Sequence, residues 1–136
     1  MVFVSSKKNA DRLFEALEES YGSEMGIIHS NKSQNYRLST MASFQEGNLR
    51  GLITTDIMAR GLDIEGISHV INFDTPDYPE NYMHRIGRTG RAEKEGHTIL
   101  LSTEKEQEGR ERLEELMQIK IETLDIPEAV EISTEL

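Results

Sequence analysis

Five short apolar runs recur along the chain, and the segments between them carry helical periodicity. That alternation restricts the available folds more than any other feature. The runs are residues 2–4, 25–29, 51–55, 70–73 and 98–101. Between the first two, Ala10, Leu13, Phe14 and Leu17 fall at i, i+3, i+4 and i+7, the stripe of an amphipathic helix over 7–20 that Gly22 ends. Ser33 reads as the N-cap of a helix running to about Glu46, with Leu38, Met41 and Phe44 inward and Gly47 as its stop. Residues 56–63 read as a loop, and Pro79 suits the first turn of a further helix. Thr103 to Glu106 has the form of a capping box, opening a helix with Leu113, Leu116 and Met117 inward. From Ile119 the chain alternates weakly and turns acidic, which predicts an edge strand before the end frays. Strands alternating with helices call for an α/β fold, a parallel sheet covered on both faces by right-handed crossovers. At 136 residues the chain is one domain, large enough to bury a core without disulfide or metal staples. A strand so close to residue 1 suggests an N-terminus trimmed from something longer.

Composition narrows the chemistry. There is no cysteine, so disulfides, thiolate metal sites and cysteine nucleophiles are excluded, which fits a reducing cytoplasm. The four histidines (29, 69, 84 and 97) have no ligand spacing, so no metal site is expected. Glu114-Glu115 reads as part of a solvated helix face. No apolar run is long enough to span a membrane and no signal peptide is visible. The formal charge of −10 argues at first against a nucleic-acid partner. Residues 104–136, however, hold 11 Asp+Glu against 4 Lys+Arg (net −7), leaving 14 against 11 (net −3) in residues 1–103. Local basic groups can still hold phosphates on the larger part, although binding by the module alone should be weak.

The segment most suggestive of function is His84-Arg85-Ile86-Gly87-Arg88-Thr89-Gly90-Arg91. On helical geometry its three arginines, at i, i+3 and i+6, share one stripe. The glycines between them would each cost roughly 1 kcal/mol inside a helix relative to Ala, and they make sense where a bulky anion or another protein surface approaches the backbone. Arginine's planar fork grips two phosphate oxygens at once. Two readings stand: phosphate recognition, or a basic surface patch paired with carboxylates. Gln34 and Arg37, in the first turn of their helix, are placed to meet an anion or simply to be solvated. Tyr36, Tyr78 and Tyr82 are candidates for ligand contact or for packing. Ligands of open parallel sheets gather at the carboxyl ends of strands. Ser5-Ser6, residues 31–37, residues 55–63 and the loop before the arginines all follow strands, so they belong to one face.

Residues 55–63, Thr-Asp-Ile-Met-Ala-Arg-Gly-Leu-Asp, and His84 to Arg91 resemble motifs V and VI of DEAD-box RNA helicases, in order and at the right separation. Phe3-Val4-Ser5-Ser6 is similar to motif IV, and Gln34-Asn35-Tyr36-Arg37 to the QxxR element. The His at the start of motif VI and Thr89 within it point to the DEAD-box branch, and residues 28–34 resemble the bacterial RhlE-type group. The resemblance covers roughly residues 2–125. It implies the second of two RecA-like domains over 1–136, with an acidic C-terminal segment from about 120. ATP would sit between the domains and RNA would lie across both. By position, Arg88 and Arg91 would be arginine fingers for the γ-phosphate, and Gly61 and Asp63 would belong to the nucleotide site, Asp63 on the ribose hydroxyls. Ser6, Gln34, Arg37 and Thr55 would contact the RNA sugar-phosphate backbone without reading sequence. His84, Arg60 and Arg85 would serve the interface with the partner domain. Ser30 stands where many members have Gly and Met58 where a smaller residue is usual; both imply shifted packing rather than lost activity.

Neither a Gly-x-x-x-x-Gly-Lys-[Ser/Thr] phosphate loop nor an Asp-Glu-Ala-Asp motif occurs. The phosphate cradle, the Mg²⁺ site and the water-positioning residue are therefore expected on an N-terminal RecA-like domain. The implied whole is a cytoplasmic, monomeric ATP-dependent RNA helicase of which this part alone is inactive. The competing readings are a stand-alone RNA- or protein-binding module of the same fold, and a DNA translocase of the wider superfamily.

Overall fold

The computed structural model describes residues 1–60, 64, 66–89 and 96–130, with the backbone alone at Arg60. Its elements are β1 (Val2–Val4), α1 (Lys7–Tyr21), β2 (Met25–Ile28), α2 (Gln34–Gln45), β3 (Gly51–Thr55), α3 (Asp56–Arg60), β4 (His69–Asn72), α4 (Pro79–Ile86), β5 (His97–Leu100) and α5 (Gln107–Met117). The five strands form one parallel sheet in the order β2-β3-β1-β4-β5. The chain runs from β1 out to β2, returns to β3, then passes over β1 to β4. The order therefore switches direction between β1 and β4, where such sheets open a crevice at their carboxyl ends.

Strand alternation divides the core into two layers. Along β3, Leu52 joins Phe3, Ile28, Ala59 and Val70 in one cluster, while Ile53 joins Val2, Val4, Ala10 and Ile27 in the other. Met41 and Phe44 of α2 pack on the first, and Leu13, Phe14, Leu17 and Tyr21 of α1 on the second. Both faces are thus covered, as the alternation requires. The helix ends follow their residues. Ser6 and Ser33 cap α1 and α2 by accepting from the Asn9 and Tyr36 N–H groups, each at 3.2 Å. Gly22 and Gly47 close the same helices at φ +56° and +82°, where a side chain would be strained. The Glu106 carboxylate accepts from the Thr103 N–H at 2.8 Å and the Thr75 N–H at 3.0 Å, pinning the loop after β4 to the turn before α5. Partial burial pushes that carboxyl up, but the bonds from Thr103 and Thr75 outweigh it and hold it below the usual range.

Four expectations are corrected. Leu38 and Leu116, expected inward, are 59% and 54% exposed. Helix α2 packs against β2 and α5 against α4, so each buries a narrow stripe and leaves its margin in water. Residues 56–60, expected as loop, form the single turn of α3. Residues 119–130 form no strand. Pro127 cannot donate to a ladder and charged residues interrupt the run, so Leu124, Ile126 and Val130 remain exposed. Residues 131–136 lie outside the described set.

The layering makes a direct contrast testable by urea unfolding. Leu52→Ala should cost about 2–5 kcal/mol, the range for opening a core cavity. Leu38→Ala should change stability by no more than about 0.5 kcal/mol.

Candidate functional site

The crevice between β1 and β4 is filled by one side chain from α4. Arg85 is 1% exposed. Its Nε and Nη2 donate to the two carboxylate oxygens of Asp56 at 2.6 and 2.9 Å, a bidentate pair. Nη1 donates to the Asp74 carbonyl at 2.9 Å, and Nη2 reaches the Asp74 carboxylate and the Ser5 hydroxyl, both at 3.2 Å. Ser5 completes the ring: its hydroxyl donates to Asp74 at 2.7 Å and its N–H at 2.9 Å. The guanidinium also lies 5.6 Å from the Phe3 ring centre. One buried cation thus ties together the ends of β1, β3 and β4.

Arg85, expected to serve the interface with the partner domain, spends its guanidinium on partners inside this one, where it braces the loops leaving the carboxyl edge. The helix expected to carry the arginines is shorter than their spacing suggests. Helix α4 stops at Ile86, Gly87 is its C-cap, and Arg88 follows in a turn. Arg88 stays beside Arg85 all the same: the two line one small pocket with Phe3, Asp56 and Ala59. Arg88 Nη2 donates to the Ala59 carbonyl at 2.6 Å and its Nη1 lies 3.5 Å from the Ile64 carbonyl. Thr89 locks the turn: its hydroxyl donates to the Ile67 carbonyl, and the Ile67 N–H donates to the Arg88 carbonyl at 3.2 Å. The half-buried Arg88 guanidinium is therefore held against the Ala59 and Ile64 carbonyls. Gly61, Asp63 and Arg91 lie outside the described residues, as does the Arg60 side chain. His84 is exposed on α4.

The other candidates line the same carboxyl edge. Arg37 donates from Nη2 to the Gln34 side-chain oxygen at 2.7 Å and from Nη1 to the Met58 sulfur at 3.1 Å. Its Nε is buried with no partner among the described residues. Met58 thus sits against Arg37, and in this way the unusual residue enters the site. A groove of about 790 Å³ runs past Ser6, Lys7, Ser30, Thr55, Met58 and Tyr78. Ser6 is engaged as the α1 cap, and Lys7 Nζ donates to the Asn31 side-chain oxygen at 3.2 Å. Of the tyrosines, Tyr82 is buried, and burial pushes its phenol up; Tyr36 lies under the Lys32 ammonium.

Arg88 sets a permanently charged guanidinium between α3 and α4. Among the described residues, no group of three or more His, Asp or Glu is placed to hold a metal ion. No described helix is long and apolar enough to cross a membrane. Sequence reasoning missed the roles of Ser5, Asp56 and Asp74. Their one signal was position, each polar and immediately beyond a strand.

The family described as Helicase conserved C-terminal domain matches residues 1–93. Among curated relatives, DEAD-box ATP-dependent RNA helicase CshA of Bacillus cereus is 43% identical over 128 residues, 93% of this chain and 24% of that protein. The chain therefore spans about a quarter of the length of such relatives. Among solved structures, Escherichia coli DEAD-box protein SrmB, bound to regulator of ribonuclease activity A, is 31% identical with a TM-score of 0.85, over 97% of this chain and 79% of that one. Mss116p DEAD-box helicase domain 2, bound to an RNA duplex, is 28% identical with a TM-score of 0.80, over 93% and 52%.

The buried ion pair sets a clear expectation for stability. Arg85→Ala should destabilise the fold by about 3–5 kcal/mol in urea unfolding, because it strands Asp56 in a site built for a cation. Arg85→Lys should recover little, since an ammonium cannot reproduce the bidentate fork.

Proposed function

Because this chain belongs to the helicase conserved C-terminal domain family, among the C-terminal domains of DEAD-box proteins, we propose that it is the second half of an ATP-dependent RNA helicase. The observation that carries this reading is the placement of Arg88, whose guanidinium follows α4 and meets the Ala59 carbonyl of α3 at 2.6 Å. ATP bound between this domain and an N-terminal one supplies phosphoryl transfer to water, which needs positioning and charge neutralisation more than covalent chemistry. Arg88, with Arg91, meets the charge that develops on the terminal phosphate. Asp63 and Gly61 hold the ribose end, and His84 and Arg60 face the partner domain. Mg²⁺ belongs to that partner domain.

On the same edge, Ser6, Gln34, Arg37 and Thr55 hold the sugar-phosphate backbone of RNA. Contacts of this kind position a strand without reading its bases, and the 2′-hydroxyl separates RNA from DNA. The RNA duplex on the related Mss116p domain supports an RNA-facing role for this half. The whole protein acts in the cytoplasm as a monomer.

In the full-length protein, Arg88→Ala should lower kcat for RNA-stimulated ATP hydrolysis by about 10³-fold or more, and Arg88→Lys should not restore it. The 136-residue chain alone should hydrolyse no ATP. Hydrolysis by the isolated chain that survives Arg88→Ala would overturn the reading. Equal stimulation of the full-length protein by DNA and RNA would favour a DNA translocase instead.

A further inference from the structure

Tyr78 is 69% exposed in the loop between β4 and α4, on the rim of the groove that runs past Ser6 and Thr55. A ring of this size is ordinarily packed, with its hydroxyl engaged. Pro79 follows and favours extended geometry at residue 78, observed at φ −108° and ψ 120°, and the Tyr78 carbonyl accepts from the Asn81 N–H at 3.0 Å. The ring is thus offered to solvent from a constrained main chain, so holding a ligand against it sacrifices little backbone freedom.

Charge divides the groove. The order β3-β1-β4 sets Thr55 at one end of the carboxyl edge, Ser6 and Lys7 in the middle, and the 77–80 segment at the other end. Hydroxyls and an ammonium occupy the first two positions, beside the Asp56 carboxylate that is already paired with Arg85, whereas Asp77 and Glu80 flank Tyr78 and are exposed. Phosphates are repelled from the carboxylate end and attracted toward Lys7. A strand whose backbone follows Thr55, Ser6 and Lys7 therefore turns its bases toward Tyr78. We propose that Tyr78 is a stacking platform for a base of single-stranded RNA, with Asp77 and Glu80 keeping phosphates off that wall. The inference rests on the RNA-backbone reading above and adds a contact to a base face, which every nucleotide possesses.

The test is fluorescence anisotropy of the 136-residue chain with a labelled, unstructured RNA of about 12 nucleotides, and with the same strand in a duplex. Tyr78→Ala should weaken single-strand binding about tenfold and leave duplex binding unchanged, because paired bases are already stacked. Tyr78→Phe should bind like the parent, and Arg37→Ala should weaken both forms. Should Tyr78→Ala bind the single strand normally while Arg37→Ala does not, stacking is wrong and the backbone reading stands. An equal loss on strand and duplex also overturns stacking. Normal binding by both variants removes the backbone reading and this inference with it.

Discussion

The Arg85 guanidinium is the only group in the described structure that touches residues at the ends of three adjacent strands at once, through Ser5, Asp56 and Asp74. A parallel sheet holds its strands together by backbone ladders, but nothing in those ladders organises the loops that leave its carboxyl edge. Here one side chain does so. A lone buried cation would be prohibitively unfavourable; flanked by two carboxylates and a hydroxyl it becomes a fixed junction. Such pairs add little net stability over an apolar substitute, and their contribution is to specify geometry.

That geometry explains why neighbouring arginines of one segment behave differently. Arg85 sits on the last turn of α4 and faces inward. The helix then ends at Gly87, and the turn that follows is secured by Thr89 and Ile67. Arg88 stays beside Arg85 but reaches the Ala59 carbonyl of α3. Arg88 is itself steadied by the Ala59 and Ile64 carbonyls.

The carboxyl edge therefore holds two kinds of polar group. Those at the β1/β4 switch point meet one another in the Arg85 junction, and those around the groove, such as Ser6 and Arg37, bond to a cap or to near neighbours. Length and spacing alone do not separate them, since Ser5 and Ser6 are adjacent yet one joins the buried junction and the other caps α1.

Much of the architecture was legible in the chain itself. The alternation of apolar runs with helical stripes determined an α/β parallel sheet, because side-chain period is a local property of each backbone conformation. The Ser33 cap and the closing glycines were likewise readable, since a cap depends on residues within one turn. Only the tertiary structure decided that Leu38 stays in water, that residues 119–130 add no strand, and that Arg85 ties the ends of three strands together. Each of those outcomes depends on what lies across from a residue in space, and the partners of Arg85 are 11, 29 and 80 positions away along the chain. Spacing within a segment carries no information about such partners; packing supplies it.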